Sequence, residues 1–346
     1  MKIFGAIFLL FMFLTISDAQ WRKQDIETKA SLRGLSVVSD DVVWASGTSG
    51  TVLRTIDGGK NWTVLSIPDA EKLDFRDIEA FDAETAYVLS IGEGEASRIY
   101  KTTDGGKTWK LQFKNTDPKA FFDALAFWDK NNGMAMSDPV GGKYLLLKTT
   151  DGETWRLTGN EKMPNAKDGE AAFAASGTCL LTIGGNIFLI SGGNAARVFR
   201  STNRGLDWSV SETPLVKGTA GSGIFSIAMF DAKNGVIVGG NYEKPNSVTD
   251  NLAFTKDGGK TWKPGKGLGG YRSGVTYIDK KTILAVGASG SDLSADGGKT
   301  WKNLDQESFN AVRAKGKNAI WAVGPGGLVA KFDPLLLVIK PDPDSL

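Results

Sequence analysis

The stretch Thr102-Thr103-Asp104-Gly105-Gly106-Lys107-Thr108-Trp109 recurs along the chain and determines its architecture. Close copies stand at 55–62, 255–262 and 294–301. Degenerate copies lie at 149–155, which is one residue shorter, and at 201–208, where Asn203 replaces the Asp. The Asp side chain can bond the backbone of its own turn, and the glycine pair allows positive φ angles. Each copy therefore predicts a tight turn followed by a strand that begins near the Trp.

The spacing of the copies indicates the size of the repeating unit. Consecutive Asp or Asn positions are 47, 47, 52, 54 and 39 residues apart. Four short strands with their turns need about 40–50 residues, which is the size of one propeller blade. We expect each copy to link the third and fourth strands of a blade on the outer rim, so these side chains are interpreted as structural. They are Asp57 and Trp62, Asp104 and Trp109, Asp151 and Trp155, Asn203 and Trp208, Asp257 and Trp262, and Asp296 and Trp301.

The two ends of the chain together predict a seventh blade. Residues 309–314, 319–323 and 327–332 supply three strands, and no further copy of the turn follows them. Trp21 precedes Leu32 at nearly the spacing at which Trp62 precedes Phe75. We therefore expect residues 21–26 to form the outer strand of the last blade. The prediction is an all-β, seven-bladed β-propeller over residues 20–334, closed by its N-terminal strand, with a six-bladed ring and a separate cap as the alternative.

The first residues predict an export signal. Met1-Lys2 is positively charged, residues 3–14 are apolar, and Ser17-Asp18-Ala19 offers small residues for cleavage before Gln20. An apolar run of about 12 residues is shorter than the roughly 20 that a membrane-spanning helix needs. We expect a signal peptide over 1–19, a periplasmic or secreted mature protein without a transmembrane anchor, and a C-terminal tail over 335–346.

Composition excludes several kinds of function. The chain has no histidine, so a Ser-His-Asp triad, a histidine zinc site and a histidine general base are all excluded. Its single cysteine, Cys179, stands in an apolar run and can form no intramolecular disulfide. The net charge is +2 and no basic run is present, which argues against nucleic acid as a partner. We expect no cofactor and no metal site.

The repeats, the leader and the connecting segments together resemble the photosystem II stability/assembly-factor-like propellers, whose repeated turn is known as the Asp box or bacterial neuraminidase repeat. The similar connecting segments are Ala126-Phe127-Trp128-Asp129, Ser137-Asp138-Pro139, and residues 169–178 and 197–202. Photosynthetic members of that family are assembly chaperones for a membrane complex and are not enzymes. The resemblance implies a propeller that binds another protein. We expect the protein to be monomeric and its partner to be an envelope or secreted protein or a glycan.

Alignment of the predicted first strands of the blades places six polar residues at one mouth of the central channel. They are Arg33, Arg76, Asp123, Glu170, Arg272 and Asn310. Guanidinium groups present permanently charged, bidentate donors, so this mouth is predicted to contact an anionic ligand or a charged protein segment. The alternative is that the charged groups pair with one another and only solvate the channel.

A carbohydrate-active enzyme is the second functional hypothesis. Sialidase-like propellers hold a carboxylate with an arginine triad, for which Arg33, Arg76 and Arg272 are candidates, with Tyr271 or Tyr242 as the nucleophile. The chain lacks a sialidase-type Arg-Ile-Pro segment near its start. The hypothesis covers glycosidase and lyase activity. A glycosidase needs two carboxyl groups, and Asp123 and Glu170, on neighbouring predicted blades, are the candidate acid and base.

Overall fold

The computed structural model describes residues 20–333, in which seven antiparallel sheets form the blades of a propeller. The predicted signal peptide (1–19) and the predicted tail (335–346) lie outside the described residues. Within the described residues, no helix is long and apolar enough to cross a membrane.

The chain starts on the outside of the ring and then builds three regular blades. The first strand is β1 (Trp21–Lys23). Blade 1 comprises β2 (Leu32–Val37), β3 (Val43–Gly47), β4 (Thr51–Thr55) and β5 (Thr63–Ser66). Blade 2 comprises β6 (Asp74–Ala80), β7 (Ala86–Ile91), β8 (Arg98–Thr102) and β9 (Lys110–Lys114), with a 3₁₀ turn at Gly94–Ala96. Blade 3 comprises β10 (Phe122–Asp129), β11 (Asn132–Val140), β12 (Lys143–Thr149) and β13 (Arg156–Leu157).

Blades 4 and 5 are linked by two short additional strands. The strand β14 (Glu170–Ala171) precedes blade 4 along the chain. Blade 4 comprises β15 (Leu180–Ile183), β16 (Asn186–Ile190), β18 (Arg197–Ser201) and β19 (Ser209–Glu212). The strand β17 (Gly192–Gly193) pairs with β14 and with the first strand of blade 5. Blade 5 comprises β20 (Ser222–Met229), β21 (Gly235–Asn241), β22 (Leu252–Thr255) and β23 (Lys263–Pro264).

The last blade closes the ring with the N-terminal strand. Blade 6 comprises β24 (Gly274–Tyr277), β25 (Ile283–Gly287), β26 (Gly290–Ser294) and β27 (Lys302–Asp305). Blade 7 comprises β28 (Ala311–Lys315), β29 (Ala319–Val323) and β30 (Val329–Phe332), with a 3₁₀ turn at Pro325–Gly327. β1 pairs with β30, and Trp21 lies opposite Phe332. The prediction of seven blades closed by the N-terminal strand is confirmed, and the six-bladed alternative is wrong.

The first strand of each blade forms the inner wall of the ring. β2, β6, β10, β15, β20, β24 and β28 contact one another in that order, and β28 returns to β2. All residues that begin these strands therefore face the same end of the central channel, because the strands run in the same direction around a closed ring.

The recurring turns hold the outer strands in place through a small network of hydrogen bonds. In blade 2, Asp104 Oδ1 accepts a hydrogen bond from the Thr108 amide at 2.9 Å, and Thr102 Oγ1 accepts one from the Gly106 amide at 2.9 Å. Gly105 and Gly106 have φ angles of 75° and 84°, which side chains with a Cβ rarely adopt. In blades 1, 2 and 3 the Trp that follows packs on an aromatic residue of the preceding blade, as Trp109 does on Trp44.

Candidate functional site

Four of the inner strands begin with a β-bulge, and the extra residue of each bulge faces one cavity. The register shifts fall between Leu32 and Gly34, Phe75 and Asp77, Phe122 and Ala124, and Ile224 and Ser226. The residues inside these intervals are Arg33, Arg76, Asp123 and Phe225, and all four line the cavity. A bulge redirects a side chain that would otherwise follow the pleat, so the bulges bring these side chains to the channel mouth.

The cavity at this mouth has a volume of about 440 Å³. Arg33 and Arg76 contribute its cationic side, Asp123 and Asp138 its acidic side, and Phe225 and Tyr271 part of its aromatic side. This volume is within the usual range of ligand pockets in proteins, about 300–1,000 Å³.

Part of the cavity lining, residues 172–175, belongs to residues 172–178, which we call the crossing segment. On one side, Arg33 Nη1 donates a hydrogen bond to the Ala175 carbonyl at 3.1 Å, and Arg76 Nη1 donates one to the Ala174 carbonyl at 3.4 Å. On the other side, Ser176 Oγ bonds the carbonyl of Ser273 at 2.7 Å. The crossing segment thus connects blades 1 and 2 to blade 6 across the channel.

The two arginines of the cavity differ in how their charge is balanced. Arg76 forms an ion pair with Asp74, with 2.8 Å between Nε and Oδ2. Arg33 is half-buried, and among residues 20–333 no carboxylate lies within ion-pair distance of its guanidinium. Burial and the neighbouring charge of Arg76 lower the pKa of Arg33, although an arginine remains charged at neutral pH. Arg33 therefore offers an uncompensated positive charge to a ligand.

The acidic side of the cavity consists of two adjacent carboxyl groups. Asp123 is 1% exposed, and its buried Oδ2 has no hydrogen-bond partner within the described part of the chain. Burial and then the neighbouring Asp138 raise the pKa of Asp123 well above its usual range. Burial also raises the pKa of Asp138 to about 6, although its Oδ1 accepts a hydrogen bond from the Ala172 amide at 2.7 Å. At neutral pH the two carboxyl groups therefore do not both carry a full charge.

On the aromatic side of the cavity, the sequence had named Tyr271 and Tyr242 as candidate nucleophiles but had not identified the two phenylalanines. The rings of Phe173 and Phe225 are stacked with 3.9 Å between their centroids. Tyr271 packs edge-on against Phe225, and Tyr242, which is 50% exposed, stands at the rim beside the same ring. The only signal for Phe225 was its position in the chain, since it stands where the first strand of blade 5 bulges.

The structure places Arg272 outside the cavity. Its backbone amide donates to the Gly239 carbonyl, just as the amide of Leu32 donates to Gly324 and that of Phe309 to Gly287. Arg272 is therefore equivalent to Leu32 and Phe309, and Ser273 occupies the position that faces the cavity. A shift of one residue turns a side chain to the opposite face of a strand. The Arg272 side chain is fully buried and bonded to Asp292, with 2.7 Å between Nε and Oδ2.

Glu170 is also buried away from the cavity, in an ion pair with Arg197. It stands on β14, ahead of the strands of blade 4, and not on an inner strand. Its carboxylate further accepts hydrogen bonds from Ser191 Oγ and from the Lys167 amide. Both oxygens are thus occupied, so Glu170 is not poised as the acid or base of a glycosidase.

The other members of the predicted set are placed as follows. Arg33, Arg76, Asp123 and Asn310 line the cavity. Asn310 Nδ2 donates to the Leu32 carbonyl at 2.9 Å and joins blade 7 to blade 1. Because Arg272 is buried elsewhere, the arginine triad of the sialidase alternative is not assembled. Among the described residues, no group of three or more Cys, Asp and Glu side chains is arranged to hold a metal ion.

Comparison with known proteins agrees with this architecture. Residues 14–118 match the family model described as photosynthesis system II assembly factor YCF48. The solved structure of YCF48 bound to D1 peptide superimposes with a TM-score of 0.66 at 15% identity, covering 91% of this chain and 97% of that one. YCF48 from Cyanidioschyzon merolae gives 0.63 at 20% identity, covering 91% and 99%. The WD40 propeller domain of Doa1 gives 0.61 at 10% identity, covering 90% and 96%. No curated protein sequence matches the chain significantly.

The fold and its bulged inner strands define a seven-bladed β-propeller with a ligand-sized cavity at one mouth of the channel. Over residues 14–118 the chain also resembles the YCF48 family, and the resemblance seen in its sequence is confirmed there.

Proposed function

We propose that the chain is an exported, non-catalytic binding or assembly propeller that engages an acidic segment of an envelope protein at the channel mouth. The observation that carries this proposal is the guanidinium of Arg33, which lies in the cavity and has no carboxylate partner among the residues that the structure describes. The second arginine, Arg76, is within its electrostatic reach. An uncompensated positive charge in a partly enclosed site attracts an anionic group more strongly than the same charge in water.

The aromatic side of the cavity favours a protein segment over a small inorganic anion. Phe173, Phe225 and Tyr271 offer flat apolar surface next to the arginines, and Tyr242 extends that surface to the rim. Arginine and aromatic residues carry much of the binding energy at protein interfaces. One YCF48 structure was solved bound to D1 peptide, which supports a peptide as the kind of ligand that this fold accepts.

Periplasmic or secreted placement is part of the proposal and rests on the predicted signal peptide. The charged n-region Met1-Lys2, the apolar residues 3–14 and the small residues before Gln20 support it. The partner is then a protein of the cell envelope or of the exterior.

The proposal is tested by photo-crosslinking in the cell of origin, with a crosslinking amino acid in place of Tyr242. We expect it to capture one discrete envelope protein. Arg33→Ala combined with Arg76→Ala should abolish the capture, because the cavity then loses its positive charge. The matched control is Arg156→Ala, which removes an exposed arginine from the outer strand of blade 3 and should leave the capture unchanged.

A capture that survives the loss of both cavity arginines would contradict the proposal, and so would the absence of any captured protein. In the second case a panel of glycans, assayed for binding and cleavage by the wild-type protein, tests the carbohydrate alternative.

A further inference from the structure

Asp123 is a buried carboxyl group that the fold leaves incomplete. It is 1% exposed and lines the cavity, and its Oδ2 has no hydrogen-bond partner. Among residues 20–333, no lysine or arginine lies within ion-pair distance of it. Leaving a buried polar atom unpaired costs about 1–3 kcal/mol. A carboxyl group with an unpaired oxygen beside a cavity of ligand size therefore indicates that a ligand supplies the missing hydrogen bond.

The surroundings of Asp123 disfavour its charged form. The nearest carboxyl is that of Asp138 on β11, and the nearest positive charge is that of Arg76, which is already paired with Asp74. The other titratable groups that face the pair belong to neighbouring strands of the inner wall and blade 3. They are Tyr144 on β12 and Cys179 just before β15. Neither of these supplies a positive charge, so a proton on the pair is the simplest compensation.

On the basis of the proposed function, we infer that Asp123 and Asp138 form a second, proton-carrying subsite for a carboxylate of the bound segment. When the segment binds, the pair either keeps a proton that it already carries or takes up one proton from solvent. The protonated Asp123 then donates a hydrogen bond from Oδ2 to one oxygen of the ligand carboxylate, and Arg33 supplies the opposite charge. The carboxylate belongs either to an acidic side chain or to a chain terminus.

This subsite makes binding depend on pH with a definite sign. The raised pKa values mean that the pair releases its protons from about pH 6 upward. Once both groups are ionised, they repel a carboxylate and Asp123 can no longer donate. Affinity therefore falls as pH rises. Uptake of one proton gives a change of up to about tenfold in affinity per pH unit.

The test uses the full mature protein and fluorescence anisotropy of a fluorescein-labelled peptide of alternating glutamate and tyrosine with blocked ends. Affinity is measured between about pH 5.5 and pH 8, where free glutamate side chains stay ionised because their pKa is about 4.3. A second peptide with a free carboxyl terminus and glutamine in place of glutamate distinguishes the two sources of the carboxylate. We expect at least one peptide to weaken by up to about tenfold per pH unit.

The variants isolate the acidic pair. Asp123→Asn keeps a donor at the same place and should bind with little dependence on pH. Asp138→Asn removes the like charge that keeps Asp123 protonated, so the loss of affinity should move to lower pH. The control is Asp25→Asn, which makes the same substitution on an exposed residue of the outer N-terminal segment and should behave as the wild type. Circular dichroism verifies that each variant is folded.

The outcomes separate this inference from the proposed function. Affinity that is independent of pH in the wild type, yet lost with Arg33→Ala, would overturn the inference and leave the proposed function intact. Loss of binding in a folded Asp123→Asn variant would also overturn it, because a neutral donor would then not suffice. If neither peptide binds at any pH, the proposed function fails and the inference fails with it.

Discussion

Arg33 and Arg272 show how differently two arginines can act within one ring. Arg33 donates one hydrogen bond to the crossing segment, and its side chain lines the cavity. Arg272 is fully buried and bonds Asp292, Ser289 Oγ and the Tyr271 carbonyl. Burial lowers the pKa of Arg272, and the adjacent carboxylate of Asp292 opposes that effect. The first residue is available to a ligand, whereas the second holds blade 6 together.

This contrast predicts opposite phenotypes for the two substitutions. Arg272→Ala should reduce the free energy of unfolding by about 3–5 kcal/mol, because it leaves the Asp292 carboxylate buried without its partner. Arg33→Ala should cost only about 1 kcal/mol, the value of one hydrogen bond, while removing ligand binding. Urea unfolding measures both.

The control for Arg272 is the double variant Arg272→Met, Asp292→Leu, which removes both charges and fills part of their volume. It should recover much of the lost stability, because no charge is then buried alone. An Arg272→Ala protein as stable as the wild type would mean that Asp292 finds another partner or ionises less, and the structural role given to Arg272 would be wrong.

Among the elements, the strands that the recurring turn delimits were predictable from the sequence. In blade 2 the sequence pattern predicts strands at 77–81, 86–91, 98–102 and 109–113. The observed β7 and β8 have these bounds, and β6 and β9 differ by a few residues at their ends. The turn has a fixed local chemistry, and its period gives the length of a blade. Closure by β1 was also predictable, because Trp21 and the last three strands each lacked a partner within their own part of the chain.

The functional side chains were only partly predictable, since their direction depends on bulges. Arg33, Arg76 and Asp123 each occupy a bulge, but blade 6 has no register shift in its first pair, and there the equivalent position is Ser273. Alignment by residue type therefore selected Arg272, one residue too early. Glu170 was misaligned for another reason. The crossing segment lies before β15 in the chain, and only tertiary contacts reveal where the inner strand of blade 4 begins.

Closure by the N-terminal strand gives a prediction at the scale of one element. Trp21 is buried against Phe309 and Phe332, with ring centroids 4.6 and 5.0 Å apart, and its Nε1 donates to Asp305 at 3.0 Å. Trp21→Ala should therefore cost about 3–5 kcal/mol of stability, the usual range for a buried tryptophan. It should also release β1, so trypsin should cleave at Lys23 and Lys29 faster than in the wild type. Urea unfolding and timed proteolysis measure the two effects.

Asp25→Ala is the matched control, because it changes an exposed residue of the same segment without touching the core. It should leave both measurements unchanged. A Trp21→Ala protein that loses stability without faster cleavage would show that the tryptophan fills a core but does not fasten the strand.

At the scale of the whole molecule, two sets of carboxyl groups act on stability in opposite directions. The turn aspartates are partly exposed, and hydrogen bonds from their own turns lower the pKa of Asp57, Asp104 and Asp257 to about 2. On the inner wall, burial raises the pKa of Asp77 to about 8 and also raises that of Asp123. The first set is spread around the rim and the second surrounds the channel.

The signs follow from comparison with an unfolded aspartate, whose pKa is about 3.9. A lowered pKa contributes stability that is present above about pH 4 and is lost as pH falls through the folded value. A raised pKa contributes stability that is present below about pH 4 and is lost as pH rises toward the folded value. We therefore expect the free energy of unfolding to be greatest in mildly acidic solution, and to decrease both toward pH 2 and toward pH 8.

Two variants test which carboxyl groups cause the loss of stability on each side of this pH profile. The triple variant Asp57→Asn, Asp104→Asn, Asp257→Asn copies the turn that blade 4 has at Asn203, and it should flatten only the acid side, because amides do not titrate. Asp77→Asn should flatten the side above pH 4, since it removes a carboxyl that must ionise inside the wall. Urea unfolding at a series of pH values measures both. If the triple variant kept the full acid dependence, the loss of stability at low pH would originate in ion pairs elsewhere, and the turns would hold the rim through their backbone and glycines alone.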